Sequence, residues 1–505
     1  MPSLTTLYSR ALLGINTPLV TIETHLANGF PCFTMVGLPE AAVRESRDRV
    51  RSALSNTQCD FPVKRITVNL APADLPKSGG RFDLAVAIGI LSASGQLPVH
   101  ELLQYEFLGE LALSGELRPV TGILPVAIAC KQTNRALIIP QKNAEEAALI
   151  SGLTIYAANH LTDVFAHLTK KKPLAPIELS FPAEKYTSTL DMKDIIGQKQ
   201  ARRALEISAA GGHSLLMQGP PGTGKTMLAS RLPSILPEMT EEESLEAAAI
   251  ASISLRGFKS KQWATRPFRS PHHSASSVAL AGGGNPPRPG EISLAHQGVL
   301  FLDELPEFSR AVLETLREPL ESGAITISRA AIQTDFPANF QLIAAMNPCP
   351  CGYLGDTEQP CQCSTDQIQR YHHKISGPLL ERIDLHIQVP RIPTRLLTTQ
   401  TKETRNESSH LIRQRTKAAR ARQLARASIY NAKLNQKQLQ QFCILDKLSQ
   451  KLIETAIERL HLSARAYHKT LKVARTIADL DQQDAIHASH LSEALSYRAR
   501  KTGSR

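Results

Sequence analysis

The sequence predicts an α/β protein in several domains, with a helix-flanked parallel sheet at its centre and a basic helical region after it. Three observations carry that expectation. An apolar run, SLLMQ, leads through the glycine-rich octet GPPGTGKT (219–226) into a helix-patterned run, MLASRLPSIL. A second apolar run, VLFL (299–302), ends in two adjacent acids, Asp303 and Glu304. Charge is also placed unevenly. The 505 residues carry a formal net charge of +12, yet residues 391–505 alone hold 23 Lys and Arg against 9 Asp and Glu.

Taken in order, residues 1–170 read as mixed α/β. The β-rich runs LVTIETHL, FTMVGL and KRITVNLA alternate with the helix-patterned AAVRESRDRVRSAL and FDLAVAIGILSASG. Segment 171–190, rich in proline and lysine and without periodicity, reads as a linker. Residues 191–390 alternate strands and helices. Residues 391–505 read as helical, with long helices around 402–428 and 447–459. A chain of this length has room for several buried cores. With 42% apolar and 21% charged residues, overall disorder is excluded. No apolar stretch approaches the ~18–20 residues that span a bilayer, and the N-terminus lacks the pattern of a signal peptide. The expectation is a soluble, cytoplasmic chain without a membrane partner, whose eight cysteines serve as thiols or metal ligands rather than disulfides.

The octet has the strand–loop–helix setting of a phosphate-binding loop. Gly219, Pro220, Pro221, Gly222, Thr223 and Gly224 would turn backbone N–H groups around phosphates at a helix N-terminus. Lys225 would reach the β- and γ-phosphates of ATP, and the Thr226 hydroxyl would bind Mg²⁺. Asp303, at the C-terminal end of a buried strand, is placed to hold the same Mg²⁺ through water. Glu304 is placed to deprotonate an attacking water, which makes the site hydrolytic. A third strand, QLIAAMN, ends in Asn347, whose amide could position that water.

The runs DIIGQKQARRALEISAAGGHSLLMQGPPGTGKT, RPFRSPHHSAS, GGGNPPRPGEISLAHQGVLFLDELPEF, AAMNPCPCGY and SGPLLERIDLHIQV resemble AAA+ ATPases of the magnesium-chelatase-like group. Within it they resemble the family of the competence protein ComM, also called YifB, over nearly the whole chain. The resemblance implies an AAA+ P-loop core with a C-terminal helical lid, assembled as a homo-hexamer. By similarity Arg382 is the arginine finger offered to a neighbouring subunit. Arg465 is the second sensor on the lid, with Arg475 on the same helix as the alternative. Ile195 and Ile196 would back the adenine. The implied activity is ATP-driven DNA helicase action promoting branch migration in natural transformation. Single-stranded and branched DNA, and a recombinase or other recombination proteins, would be partners. A magnesium-chelatase-type motor subunit is the alternative, and a protein unfoldase or protease a third reading.

Residues 1–168 resemble the Lon-type protease domain, also found in the DNA-repair protein RadA, through NLAPADLPKSGGRFDLAVAIGIL and FLGELALSGELRPVTGILPVAIAC. Aligned on those runs, Arg81 stands where the nucleophilic serine belongs and Leu124 where the lysine belongs. A Ser–Lys dyad needs both partners. The adjacent Lys77 and Ser78 would point to opposite faces of an extended segment. The missing dyad argues against proteolysis and favours a role in ring assembly or DNA guidance.

Cys349, Cys351, Cys361 and Cys363 form two C-x-C pairs nine residues apart. They suit a structural Zn²⁺, with a thiol-rich loop as the alternative. The resemblance makes GGGNPPRPG (282–290) and AITISRAAIQTD (324–335) inserts that face a ring's pore, so that Arg288 and Arg329 could touch phosphates. Residues 256–273 mix Lys259, Lys261, Arg266 and Arg269 with Phe258, Trp263 and Phe268, a blend suited to single strands. The alternative there is that the aromatics are core and that His272 and His273 bond structurally. On the tail helix Arg413, Lys417 and Arg420 share a face, with Arg415, Arg422 and Arg426 around it. That face could meet DNA or the acids of another subunit.

Overall fold

The computed structural model describes residues 4–37, 40–57, 59–77, 79–178, 190–329, 332–356, 358–393 and 406–498, with the side chains of 40–43, 329 and 332 left aside. Most of the expected linker lies outside the described residues. Among the described residues no helix is long and apolar enough to cross a membrane.

Two sheets organise the chain. The first has seven strands in the order Cys32–Val36, Arg65–Ala71, Leu19–Ala27, Leu4–Arg10, Tyr105–Phe107, Ala136–Pro140, Ile155–Ala158. It is mixed. Leu4–Arg10 runs antiparallel to Leu19–Ala27 and parallel to Tyr105–Phe107. Burial alternates along Leu19–Ala27 and Arg65–Ala71, so each strand turns one face to a core. The Asp83–Ala93 helix covers that face and is buried at every position. Its sequence, DLAVAIGILSA, is apolar on every face between Asp83, which Arg49 and Ser46 satisfy, and Ser92, as an internal helix requires.

The second sheet has five strands, all parallel, in the order Phe268–Arg269, Val299–Leu302, Gln341–Met346, Leu215–Gln218, Leu385–Gln388. Its strands are continuous apolar runs because both faces are covered. Residues alternate between two cores. Leu215, Met217, Phe301, Ile343 and Ala345 join the core shared with the C-terminal helices, while Leu216, Leu300, Leu302, Leu342 and Ala344 join the opposite one. The helical lid thus shares a core with one face of the sheet. Its helices span Ser409–Ala427, Gln436–Phe442, Lys447–Leu460, Ala464–Leu480 and Ala488–Ser496. The strand that comes first in this half, Leu215–Gln218, lies between two that come later. That arrangement opens a crevice at the strands' C-terminal ends.

The two halves meet through apolar side chains. Ile123, Val126 and Ala127 on the Ile123–Gln132 helix pack with Ala248 and Ala249 of the Glu241–Ser252 helix. Phe258 and Trp263 fill the same cluster, and Phe268 stacks on Phe301 with ring centroids 6.1 Å apart. Phe258, Trp263 and Phe268 are thus partly buried packing residues, the alternative to a stacking platform for bases.

One buried ionic joint ties lid to sheet. Asp384, just before the last core strand, lies 2.5 Å from Lys469 Nζ of the Ala464–Leu480 helix and 3.2 Å from His213 Nδ1. It also accepts the Ser214 N–H at 3.2 Å. Burial alone would raise the Asp384 carboxyl, but Lys469 and His213 hold it well below the usual carboxylate range. Because the folded value is depressed, the joint's contribution is complete above the unfolded value near 4 and is lost only as pH falls below it. Asp384→Ala strands Lys469 without its partner and is expected to cost about 3–5 kcal/mol, read from the urea midpoint by circular dichroism. The apolar pair Asp384→Leu with Lys469→Met is expected to recover most of that loss.

Candidate functional site

The phosphate loop leaves the buried Leu215–Gln218 strand and enters the Lys225–Ile235 helix. Glycine is required at both ends of the turn. A Cβ at Gly219 would sit 2.1 Å from the Val389 carbonyl oxygen, and Gly224 has φ +84°. Lys225 is 9% exposed, and its Nζ donates to the carbonyls of Gly219 and Pro220, at 2.7 and 2.9 Å, and to Asn347 Oδ1 at 3.1 Å. Burial lowers its ammonium, with Asp303 and Glu304 opposing the shift. A half-desolvated cation held by neutral oxygens at a helix N-terminus is matched to phosphate.

Two further strand ends meet the phosphate loop. Asn347 follows Gln341–Met346 and touches it directly. Asp303 follows Val299–Leu302, and its Oδ2 accepts the Thr226 hydroxyl at 2.6 Å. This hydroxyl–carboxylate pair, both oxygen donors, fits Mg²⁺. Glu304 has φ +52°, and Asp303 Oδ1 accepts its N–H at 3.0 Å. Its carboxylate is half-exposed and lies 3.1 Å from His273 Nδ1. The register explains that contact. Phe268 pairs with Val299 and Arg269 with Leu300, so the chain leaving the edge strand carries His273 to the level of Glu304. The run SPHH held this signal, but only the pairing of the two strands makes it readable.

ATP would supply the scissile phosphoanhydride and Mg²⁺ the charge that neutralises it. Lys225 and the loop amides would hold the phosphates, Thr226 and Asp303 the metal, and Glu304 would take the proton of an attacking water. Ile195 is 3% exposed and belongs to the core, while Ile196 is 38% exposed and is the one free to face a base.

The arginines gather elsewhere. Arg382 and Arg465 both lie 2.7 Å from Glu321 Oε1. Within one chain these bonds run to Glu321 rather than to the phosphate loop. Glu321 carried no sequence signal. Arg475, the alternative to Arg465, is 1% exposed and donates to the carbonyls of Asp484 and Gln483, so it is a structural residue.

The residues expected at DNA divide. Arg266 donates to the Pro237 and Gln297 carbonyls and pairs with Glu243 at 2.9 Å, and Arg269 makes a two-pronged pair with Glu291. Both are occupied inside the chain, and the expectation narrows to the exposed Lys259, Lys261 and Arg288. The Arg329 side chain lies outside the described residues. On the tail helix Lys417 is exposed, while the arginines around it have partners within the chain. Arg413 donates to the Ser234 carbonyl, Arg415 pairs with Glu206 and Glu407, Arg422 with Asp484 and Arg426 with Asp479. Arg420 is buried over the Tyr430 ring, 3.8 Å from its centroid, and burial brings its guanidinium down to about 10.

In the N-terminal half, the two positions aligned with a Ser–Lys dyad are both buried. Arg81 is buried and donates to the Thr121 carbonyl at 2.7 Å, at the entry to the helix that carries the buried Leu124. Lys77 donates to the carbonyls of Pro72 and Leu75. Ser78 lies outside the described residues. The four cysteines of 349–363 also converge, their sulfurs all within 4.8 Å of one another. The backbone N–H of Tyr353 draws the Cys351 thiol down to about 6.

Family models for the magnesium chelatase subunit ChlI match residues 22–143 and 191–397, and the model for its C-terminal part matches 406–498. The chain is 54% identical over 501 residues to the competence protein ComM of Haemophilus influenzae, covering 98% of each chain. It is 50% identical over 499 residues to the YifB protein of Escherichia coli, covering 98% of this chain and 97% of that one. A partial match, 26% identical over 201 residues, is to Lon protease 2 of Bacillus subtilis and covers 35% of this chain and 36% of that one.

Lys225→Ala is expected to remove both ATP binding and hydrolysis. Glu304→Gln should lower turnover by about 10²–10⁴-fold while nucleotide still binds, read by phosphate release beside equilibrium binding of a fluorescent ATP analogue. Normal turnover in Glu304→Gln would displace Glu304 as the base.

Proposed function

The chain belongs to the ComM and YifB family of magnesium-chelatase-like AAA+ ATPases, and from that premise we propose that it is a hexameric motor that uses ATP hydrolysis to move DNA, promoting branch migration of recombination intermediates in natural transformation. The observation that supports this most is the coupling of a hydrolytic site to two β-ribbons on the same core. The ribbon Gly282–Gly283 with Arg288–Pro289 lies against the hairpin Ala324–Arg329 with Ile332–Pro337. The approach is so close that a Cβ on Gly282 would meet Ile327 Cδ1 at 2.6 Å. The second ribbon then runs on to the Gln341–Met346 strand and Asn347. A change at the γ-phosphate has a short, stiff path to both ribbons. Arg288, exposed on the first, is the residue to meet a phosphate backbone.

In a ring Arg382 would exchange Glu321 for the γ-phosphate of the neighbouring subunit, where a guanidinium stabilises the transition state. Lys259 and Lys261 would add to the electrostatic attraction of DNA. The family models also favour a second reading, a chelatase-type motor acting on a metal-insertion partner. It differs in being indifferent to DNA.

The test is movement of a labelled three- or four-stranded junction by the purified protein with ATP, with Lys225→Ala as control. Junction movement lost in the control, together with ATPase stimulated by DNA, is the expected result. An ATPase that ignores DNA and moves no junction would overturn this reading in favour of the second. Arg288→Ala should weaken DNA binding with a shallower salt dependence, leaving DNA-free ATPase unchanged.

A further inference from the structure

We propose that Cys349, Cys351, Cys361 and Cys363 bind one structural Zn²⁺, and that this site clamps the segment after Asn347 onto the phosphate loop. The four sulfurs cluster as a tetrathiolate site requires, all within 4.8 Å of one another. Cys349 Sγ lies 3.3 Å from Cys351 Sγ and 3.6 Å from Cys361 Sγ, and Cys351 and Cys361 are also 3.6 Å apart. Four sulfurs about 2.3 Å from a zinc ion stand about 3.8 Å from one another. A disulfide would need about 2.05 Å, and all eight cysteines are free. An iron–sulfur cluster, with several metal centres, spreads its cysteine sulfurs much further apart. Mg²⁺ and Ca²⁺ take oxygen ligands instead.

The surroundings are those of a metal knuckle. The Cys351 N–H donates to Cys363 Sγ and the Cys363 N–H to Cys361 Sγ, each at 3.4 Å, so backbone donors stabilise and orient the sulfurs. The intervening sequence, GYLGDTEQP, has too few apolar residues to build a core of its own. A segment that short needs a staple.

The knuckle's position gives the ion its role. Cys349 follows Asn347 by two residues. Where the chain turns back at Gly352, a Cβ would meet Pro221 Cδ of the phosphate loop at 2.7 Å and Asn347 Cγ at 3.9 Å. On the other side Asp356 pairs with Arg391 at 2.9 Å, just past the last core strand. His372 Nε2 lies 3.0 Å from the Pro348 carbonyl. Fixing the four sulfurs fixes the knuckle, and the knuckle bears on both Pro221 and Asn347.

Metal analysis of the purified full-length protein tests the site. About one zinc per chain is expected. The Cys361→Ser/Cys363→Ser double variant should hold less than about a tenth of that, whereas Cys32→Ser and Cys59→Ser should keep it. Cys363→His, which preserves a zinc ligand, should keep the metal and serves where the double variant fails to fold. Co²⁺ in place of zinc should give the visible bands of a tetrahedral tetrathiolate. Stripping zinc with a chelator and restoring Mg²⁺ should weaken binding of a fluorescent ATP analogue about tenfold, with recovery on adding Zn²⁺. Iron with visible charge-transfer absorption, or zinc content indifferent to all four cysteines, would overturn the site. Zinc whose removal leaves nucleotide affinity unchanged would overturn the clamp.

Discussion

Asp384 is the point through which the core, the lid and the Arg382 turn are held together. Its carboxylate accepts from the Ser214 N–H at the start of the phosphate-loop strand and meets Lys469 of the lid helix and the buried His213. The same Lys469 ammonium donates to the Arg382 carbonyl, and His213 Nε2 lies 2.7 Å from Thr476 Oγ1, two turns along the same face of the lid helix. A buried carboxylate of this kind is costly unless every partner stays in place. The consequence is mechanical. The lid cannot swing away from the sheet at this point without stranding a charge, so lid motion must pivot about the joint.

Charge is the property most easily misread from sequence here. The excess of Lys and Arg after residue 390 suggests a surface offered to a polyanion, and the helix RQRTKAARARQLARA suggests where. In the fold that helix lies along the Lys199–Gly211 and Lys225–Ile235 helices, and its arginines cap their carbonyl ends and pair with Glu206, Asp479 and Asp484. Glu206 comes from an earlier helix and Asp479 and Asp484 from within the tail itself, and which acid meets which arginine is set by helix packing that linear charge counting cannot see. The phosphate loop, Asp303, Glu304 and Asn347 were legible for the opposite reason. Each sits at a strand end, so local pattern alone fixes its place. His273 falls between the cases, since its role follows from the register of one strand on another.

The N-terminal half shows how a site can keep its architecture and lose its chemistry. Positions 81 and 124 are both buried, but one holds a guanidinium bonded to the Thr121 carbonyl and the other a leucine. No nucleophile or base arises from that pair, and burial brings the Arg81 guanidinium down to about 10. What the domain offers the rest of the chain is the Ile123–Gln132 helix, whose outer face packs on Ala248 and Ala249 with Phe258 and Trp263. The sequence marks those aromatics as candidates for base stacking, yet their apolar area is already used in joining the two halves.

Glu321 shows how nucleotide chemistry and the ribbons share parts. Its Oε1 is the common partner of Arg382 and Arg465, residues set on the last core turn and on the lid. It sits in the Arg317–Ser322 helix, which passes through Gly323 directly into the Ala324–Arg329 strand of the hairpin. Drawing either arginine to a phosphate breaks a bond to Glu321, and drawing both leaves its carboxylate without either cation. Two guanidinium groups on one carboxylate oxygen also crowd like charges, so releasing one costs less than releasing the last. The first arginine to leave is therefore the easier to move, while the other goes on anchoring the base of the hairpin to the ATPase core.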